Sequence, residues 1–283
     1  MPPRSDPTAR QVRLGTELRK LREAAGLTSK VAGERLGGGT AQISHIESGR
    51  YGVSGARVRH MAALYSAQDM DVVDALAAMA EERGKGWWER YRPSLPVNLL
   101  DLAELEHHAT FLRSIQLLAV PGIFQTEEYA HAIFSSGNPG VAAKELALWI
   151  DHRLSRRQIF DRETPPPFEA IIHEAALRIP YGSRKATRAQ LSSLLDVCDW
   201  PSVAIRVIPF AIEAFHGAAQ PMLYAGGPVP ALDTVQVDDA SVGSVLDATA
   251  QLRKYRDVYS SIHELSLTTE KSRDFIHRIA KET

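Results

Sequence analysis

Residues 27–50 read LTSKVAGERLGGGTAQISHIESGR, and this stretch decides the fold of the N-terminal part of the chain. Its pattern predicts two short helices, over 29–36 and 40–48, separated by three consecutive glycines. Thr28 suits the N-cap of the first helix because its hydroxyl can accept an otherwise unpaired backbone N–H. Gly49 suits the position just after the second helix, where a left-handed backbone is common.

Four residues of this stretch fix how the two helices meet. Gly33 lacks a side chain where the first helix must approach the second, and Gly37 allows a sharp turn between them. Ile43 and Ile46 are one helical turn apart, so they share a face that we expect to be buried. This arrangement is the helix-turn-helix pattern, whose second helix enters the major groove of DNA.

The same stretch resembles the helix-turn-helix of the phage-repressor-like Xre family. The sequence ISHIESGR, residues 43–50, is similar to that family's signature at the end of the recognition helix. One position differs, because Gly38 stands where those proteins usually have a small apolar residue. The resemblance implies that DNA contacts the exposed face of the helix over 40–48.

Candidate DNA contacts follow from the residue types at those positions. Glutamine can pair with adenine through two hydrogen bonds, threonine and alanine can contact a thymine methyl group, and histidine can donate to guanine or phosphate. Residues near a helix start, or just past the recognition helix, suit phosphate contacts. We expect base contacts from Thr40, Ala41, Gln42, Ser44 and His45, and phosphate contacts from Ser29, Lys30, Arg50 and Arg57, with Arg59 a weaker candidate.

The charge distribution favours the same function. Residues 1–60 contain 11 Lys and Arg against 5 Asp and Glu, a balance of +6, whereas the whole chain has a net charge of −1. The remainder therefore carries −7. A basic N-terminal part on an acidic body is typical of a DNA-binding domain joined to a domain that does not bind DNA.

The chain of 283 residues is long enough for two domains. We expect a disordered tail over 1–8, a DNA-binding domain of five short helices over 9–82, a linker rich in Trp, Gly and Pro over 83–100, and a C-terminal domain over 101–283. In the linker, Trp87 and Trp88 are candidates for coupling the two domains.

The C-terminal domain is predicted to be α+β, with helices around a small sheet. A long helix is expected over 99–118, and its buried side is formed by Leu102, Leu105, Ala109, Leu112 and either Ile115 or Gln116. Shorter elements follow: helices over 126–134, 142–161, 187–198, 246–260 and 269–281, and strands over 168–173, 203–209, 221–225 and 234–237.

Longer motifs extend the resemblance over nearly the whole chain. GWWERYR at 86–92, LDLAELEHHA at 100–109 and LAVPGIFQTEEYA at 118–130 look like those of actinomycete Xre-type regulators. In these proteins the same DNA-binding domain precedes a shared C-terminal domain of poorly defined role, and some relatives are described as antitoxin-like.

Nothing in the sequence argues for an enzyme, a cofactor or a metal. No phosphate-binding loop or nucleophile elbow is present. Glu104 and His108 share a helix face beside Glu106 and His107, but two ligands from one helix do not make a metal site. Cys198 is the only cysteine, which excludes an intrachain disulfide and favours a reducing, cytoplasmic address at the nucleoid. No apolar run is long enough to cross a membrane.

These observations predict a transcriptional regulator that binds an inverted-repeat operator in double-stranded DNA as a homodimer. Its C-terminal domain would bind a small partner protein or a small-molecule effector that tunes operator binding. The alternative is an antitoxin-like protein whose main task is to sequester a small partner and which regulates its own operon.

Overall fold

The computed structural model describes residues 6–82, 84, 86–213, 220–237 and 244–283. The chain forms two compact units, one ending at Trp87 and the other beginning at Trp88. Most of the predicted disordered tail, residues 1–5, lies outside the described ranges. Thr8, the last residue of that predicted tail, caps the first helix. Within the described ranges, no helix combines the length and apolarity that crossing a membrane requires.

The first unit contains the five predicted helices. Their local sequences account for where they begin: Thr8, Thr28, Ser54 and Asp69 each accept a backbone N–H from the first turn of the helix that follows. The helices are α1 Ala9–Ala24, α2 Ser29–Arg35, α3 Thr40–Glu47, α4 Gly55–Leu64 and α5 Met70–Glu81.

The second unit is an α+β domain built on a six-stranded sheet, as the sequence predicts. Its helices are α6 Val97–His108, α7 Glu127–Gly137, α8 Ala143–Ser155, α9 Glu174–Arg178, α10 Arg184–Val197, α11 Thr249–Leu265 and α12 Thr269–Glu282. Its strands are β1 Leu112–Gln116, β2 Phe168–His173, β3 Val203–Ile208, β4 Met222–Ala225, β5 Thr234–Val237 and β6 Ser244–Leu246.

The sheet has the order β3-β2-β1-β4-β5-β6, with two parallel and three antiparallel strand pairings in the described part of the chain. Strands β1, β2 and β3 run parallel, with helices in the connections between them. Strands β4, β5 and β6 continue the sheet in antiparallel pairs from β1. Helices α10 and α12 cover one face, whose core includes Leu112, Ala170 and Ile205. Helix α11 covers the other, whose core includes Ile115 and Ile171.

The long helix expected over 99–118 is wrong in its second half. The helix ends at His108, and residues 112–116 form the strand β1 near the middle of the sheet. Leu112 and Ile115 are both buried, but they lie in the cores on opposite faces of the sheet. Side chains three apart point to opposite faces of a strand, so a sheet that is buried on both sides imitates helical spacing.

The buried side of α6 also differs from the prediction. Leu100, Ala103 and Glu106 are buried, whereas Leu102 and Leu105 are half-buried. The other predicted helices and strands are found with ends that differ by up to six residues. The helix expected over 142–161 is α-helical only to Ser155 and continues as a 3₁₀ helix over Arg156–Asp161, and the helix expected over 246–260 is found as α11. Strand β6 is an addition that the sequence analysis did not include.

The outer edge of β3 is closed by the connection between α11 and α12 and by the first turn of α12. Val207 in β3 donates its backbone N–H to Ser272 Oγ at 2.9 Å and accepts the N–H of Leu267 at 2.9 Å. Arg206 adds a bond from its guanidinium to the Leu267 carbonyl at 2.8 Å. An edge strand without such cover offers unpaired groups to other chains, so these bonds protect the sheet.

Candidate nucleic-acid interface

Helix α3 presents one face to the core and the other to solvent. Ile43 and Ile46 are buried, as predicted, and Glu47 is buried beside them. The five predicted base-contact residues fall on the other side. Thr40, Ala41, Gln42 and Ser44 are exposed, and His45 is half-buried. The structure therefore brings all five side chains to one accessible surface of a short helix.

The turn before α3 is held by the glycines that the sequence singles out. Gly37 has φ of +69°, a conformation that residues with side chains rarely adopt. A Cβ on Gly33 would lie 2.9 Å from the carbonyl carbon of Gly39, so a side chain there would push the two helices apart. The N–H of Gly38 donates to the carbonyl of Gly33 at 2.8 Å, which ties the end of the turn to α2.

His45 is oriented by an aromatic neighbour that the sequence analysis missed. The ring centroids of His45 and Tyr51 are 4.7 Å apart. The backbone N–H of Tyr51 donates to the His45 carbonyl at 3.0 Å, and Ser48 Oγ donates to the same carbonyl at 3.2 Å. The ring contact restricts the imidazole, and the two hydrogen bonds fix the backbone of His45 at the end of the exposed surface, where the residue is half-buried.

A buried ion pair fixes the C-terminal end of α3 to α1. Arg22 Nε donates to Glu47 Oε1 at 2.6 Å and Arg22 Nη2 to Glu47 Oε2 at 2.9 Å, while Nη1 donates to the carbonyl of Leu27 at 2.6 Å. Both side chains are less than a tenth exposed. The hydrogen bond to Glu47 raises the pKa of the Arg22 guanidinium, so Arg22 stays charged.

Two glycines let the backbones of α1 and α3 come together at this end. A Cβ on Gly15 would lie 2.4 Å from the carbonyl oxygen of Glu47. Gly49 has φ of +74°, and a Cβ there would lie 2.8 Å from the backbone of Gln11. Gly49 was predicted as the helix end, whereas the close approach at Gly15 was missed because its partner is distant in sequence.

The predicted phosphate contacts differ in what their side chains already do. Lys30 and Arg50 are exposed and Ser29 is half-buried at the start of α2. Arg57 donates from Nη2 to the carbonyl of Leu36 at 2.8 Å, so part of its guanidinium caps the end of α2. Arg59, the weaker candidate, is paired with Asp74 at 3.0 Å.

The remaining charges make this surface distinctive. Within residues 6–60, six basic side chains are paired with carboxylates: Arg10, Arg13, Arg19, Lys20, Arg22 and Arg59. In the same described range, the four without a carboxylate partner are Lys30, Arg35, Arg50 and Arg57. Those four lie in α2, just after α3 and in α4. Between residues 6 and 60, the positive charge without a carboxylate partner is therefore concentrated around the helix-turn-helix.

The two candidate coupling tryptophans fall at the boundary between the units. Both belong to a short 3₁₀ helix, Trp87–Tyr91. Trp88 is buried, and its ring packs edge-on against those of His107 and His108, at 4.9 and 6.1 Å between centroids. Trp87 is half-buried. Of the predicted linker, residues from Trp88 onward lie with the second unit.

The acidic and histidine residues of α6 serve internal contacts. Glu106, 1% exposed, accepts two hydrogen bonds from Arg156 at 2.7 and 2.5 Å. His107 contacts Arg162 through its backbone carbonyl and Nδ1. In the described part of the chain, no group of three or more His, Cys, Asp or Glu is arranged to hold a metal ion.

Comparison with known protein families gives one match in each of the two units of the chain. Residues 13–76 match the model of a helix-turn-helix domain, and residues 99–278 match the model of a domain of unknown function, DUF5753. Neither a search of curated proteins nor a search of solved structures found a match. The first match supports a DNA-binding regulator, and the second covers more than half of the chain. The chain therefore belongs to the DUF5753 family, with a helix-turn-helix domain in front of the domain of unknown function.

Proposed function

We propose that this protein is a sequence-specific transcriptional regulator that reads its operator with α3. The observation that carries the proposal is that α3 has an exposed face and that the segments beside it contain cations without carboxylate partners. Specific recognition needs both parts, because phosphate contacts place a protein on DNA and base contacts select the sequence. Its action on DNA would place it at the nucleoid in the cytoplasm, without catalysis or a cofactor.

The proposed base-reading surface of α3 consists of five residues, each making the base contact that its side chain allows: Thr40, Ala41, Gln42, Ser44 and His45. The test is selection of binding sites from randomised DNA, with the parent and with a variant changed at all five positions. We expect the preferred sequence to change. Identical preferences in both proteins would show that α3 is not the reading element.

Phosphate contacts predict a different response from Lys30, Arg50, Arg57 and Ser29. Lys30→Ala is expected to weaken binding to all sequences about equally and to reduce the salt dependence. The logarithm of the affinity should fall with the logarithm of the salt concentration, with a slope of about −0.9 per neutralised phosphate. An affinity that does not respond to salt would contradict this use of the cations.

Operator binding is proposed to require a homodimer. One helix-turn-helix covers a short half-site, and dimers place two recognition helices about 34–36 Å apart on one side of the DNA. We therefore expect an inverted-repeat operator. Sedimentation of the full chain, alone and with operator DNA, measures the stoichiometry. A strict monomer in both conditions would refute the homodimer.

The C-terminal domain is proposed to bind a small partner protein or a small-molecule effector that tunes operator binding, with Trp87 and Trp88 coupling the two. Such coupling is typically 1–3 kcal/mol, or about 5–150-fold in affinity. Purification from the native host, followed by mass spectrometry of what remains bound, would identify the effector. A stoichiometric small protein whose own activity is blocked by this chain would instead support the antitoxin-like alternative.

Any partner found this way allows the coupling to be tested. Operator affinity is measured with and without the partner, for the parent and for Trp87→Ala with Trp88→Ala. We expect the double substitution to abolish the partner's effect while both binding events persist. An equal effect in both proteins would mean that the coupling does not depend on these tryptophans.

A further inference from the structure

Gly38 occupies a position in the turn where its backbone does not require glycine. Of the three consecutive glycines, Gly37 has a positive φ, whereas Gly38 and Gly39 do not. Conformational freedom therefore explains Gly37 alone. The absence of a side chain at Gly38 needs another reason, and the surrounding atoms supply one.

The space next to Gly38 is filled by the side chain of Gln42. A Cβ built on Gly38 would lie 2.0 Å from Gln42 Oε1 and 3.1 Å from Gln42 Cδ. A Cβ built on Gly39, by contrast, would meet nothing within 4 Å. The amide of Gln42 thus lies over the turn in a place that exists only because residue 38 has no side chain.

We propose that Gly38 is a positioning residue that sets which base Gln42 reads, an inference that rests on the proposed function of α3. Glutamine loses side-chain entropy when it is fixed upon binding, so the conformations open to its amide before binding affect the cost of the contact. Pairing with adenine also requires the amide to lie in the plane of the base, so its orientation decides whether both hydrogen bonds form. A methyl group at residue 38 cannot share this space with the amide and must displace it.

The test compares Gly38→Ala with the matched control Gly39→Ala, two equal changes in the same turn. Binding sites are selected from randomised DNA with the parent, both alanine variants, Gln42→Ala and the double variant Gly38→Ala with Gln42→Ala. We expect Gly38→Ala to lower the preference at the base pairs that Gln42→Ala affects, by about 5–150-fold for a bidentate contact. Gly39→Ala should keep the parental preference. The double variant should have the same base preference as Gln42→Ala alone, because Gly38→Ala acts only through Gln42.

Three results would overturn the proposal. The first is a parental preference in Gly38→Ala. The second is an equal effect of Gly38→Ala with and without Gln42, which would indicate a change of backbone. The third is an equal effect of Gly39→Ala. Thermal unfolding of each variant identifies any loss of folding, and Gly38→Ser, with a different small side chain, must then give the same change of preference.

A second measurement, in the absence of DNA, separates this inference from the proposed function. NMR relaxation of the Gln42 side-chain amide in the full chain should show a more ordered group in the parent and Gly39→Ala than in Gly38→Ala. If that difference is seen but the parent selects no DNA sequence, the proposed function fails while the positioning of Gln42 stands. If the amide is equally mobile in all three proteins, Gly38 does not position it.

Discussion

Replacing Glu47 by Gln is expected to loosen the recognition helix. The substitution keeps the size of the side chain but leaves the buried Arg22 guanidinium without its carboxylate. Removing one partner of a buried ion pair typically costs about 3–5 kcal/mol, because the remaining charge stays out of water. Small domains have about 5–15 kcal/mol of stability in total, so the loss would be a large share of it.

Native-state hydrogen exchange at the amides of α3 measures this loss where it occurs. A cost of about 3–5 kcal/mol corresponds to exchange about 150–5,000 times faster than in the parent. The matched control is Glu23→Gln. Glu23 also lies near Arg22, at 3.6 Å, but its side chain is half exposed and screened by solvent, so its loss should cost far less than the loss of Glu47. Equal acceleration by the two substitutions would refute the reasoning.

Further predictions concern other buried groups. Gly33→Ala should destabilise the helix-turn-helix, because its Cβ would meet the backbone of Gly39 at 2.9 Å, and thermal unfolding unchanged from the parent would contradict this. Burial lowers the pKa of His152 to about 3, so as the pH falls below about 6.5 the unfolded chain gains a proton that the folded chain does not. In denaturant unfolding, this residue should make the chain about 2 kcal/mol less stable at pH 5 than at pH 7. His152→Gln should remove this contribution from the pH dependence of stability, whereas the control His60→Gln, at an exposed position, should leave it in place. Burial raises the pKa of Cys198 to about 11, so alkylation at pH 7 should be about 100-fold slower in the native chain than in urea. Equal rates would show that the thiol is accessible and that its pKa is not raised.

The helix-turn-helix could be predicted because its signals are local. Thr28, Gly33, Gly37 and the isoleucines of α3 act within about twenty residues of one another, and the structure places each as expected. The strand β1 could not be predicted in the same way. Its two buried apolar residues, Leu112 and Ile115, sit at helical spacing. The direct evidence for a strand is its pairing with β2 and β4, more than fifty residues away.

In the candidate site, too, the features set by local sequence could be predicted and those set by other contacts could not. The exposed set on α3 follows from helical periodicity and the family resemblance. Glu47 lies four residues after Ile43 on the buried face, which signals a buried charge, but nothing in the sequence identifies Arg22 as its partner 25 residues earlier. The contact between Gln42 and Gly38 depends on a side-chain orientation, which periodicity does not give.

The β3 edge is synthesised before the residues that cover it. Val207 is made 65 residues before Ser272, the group that receives its N–H. At about 5–20 residues per second, an emerging chain carries this open edge for about 3–13 s before its cover exists. During that interval the strand can pair with another nascent chain on the same messenger. This edge of the sheet is therefore open to misassembly while the chain is being synthesised, whereas in the folded chain its groups are bonded to Leu267 and Ser272.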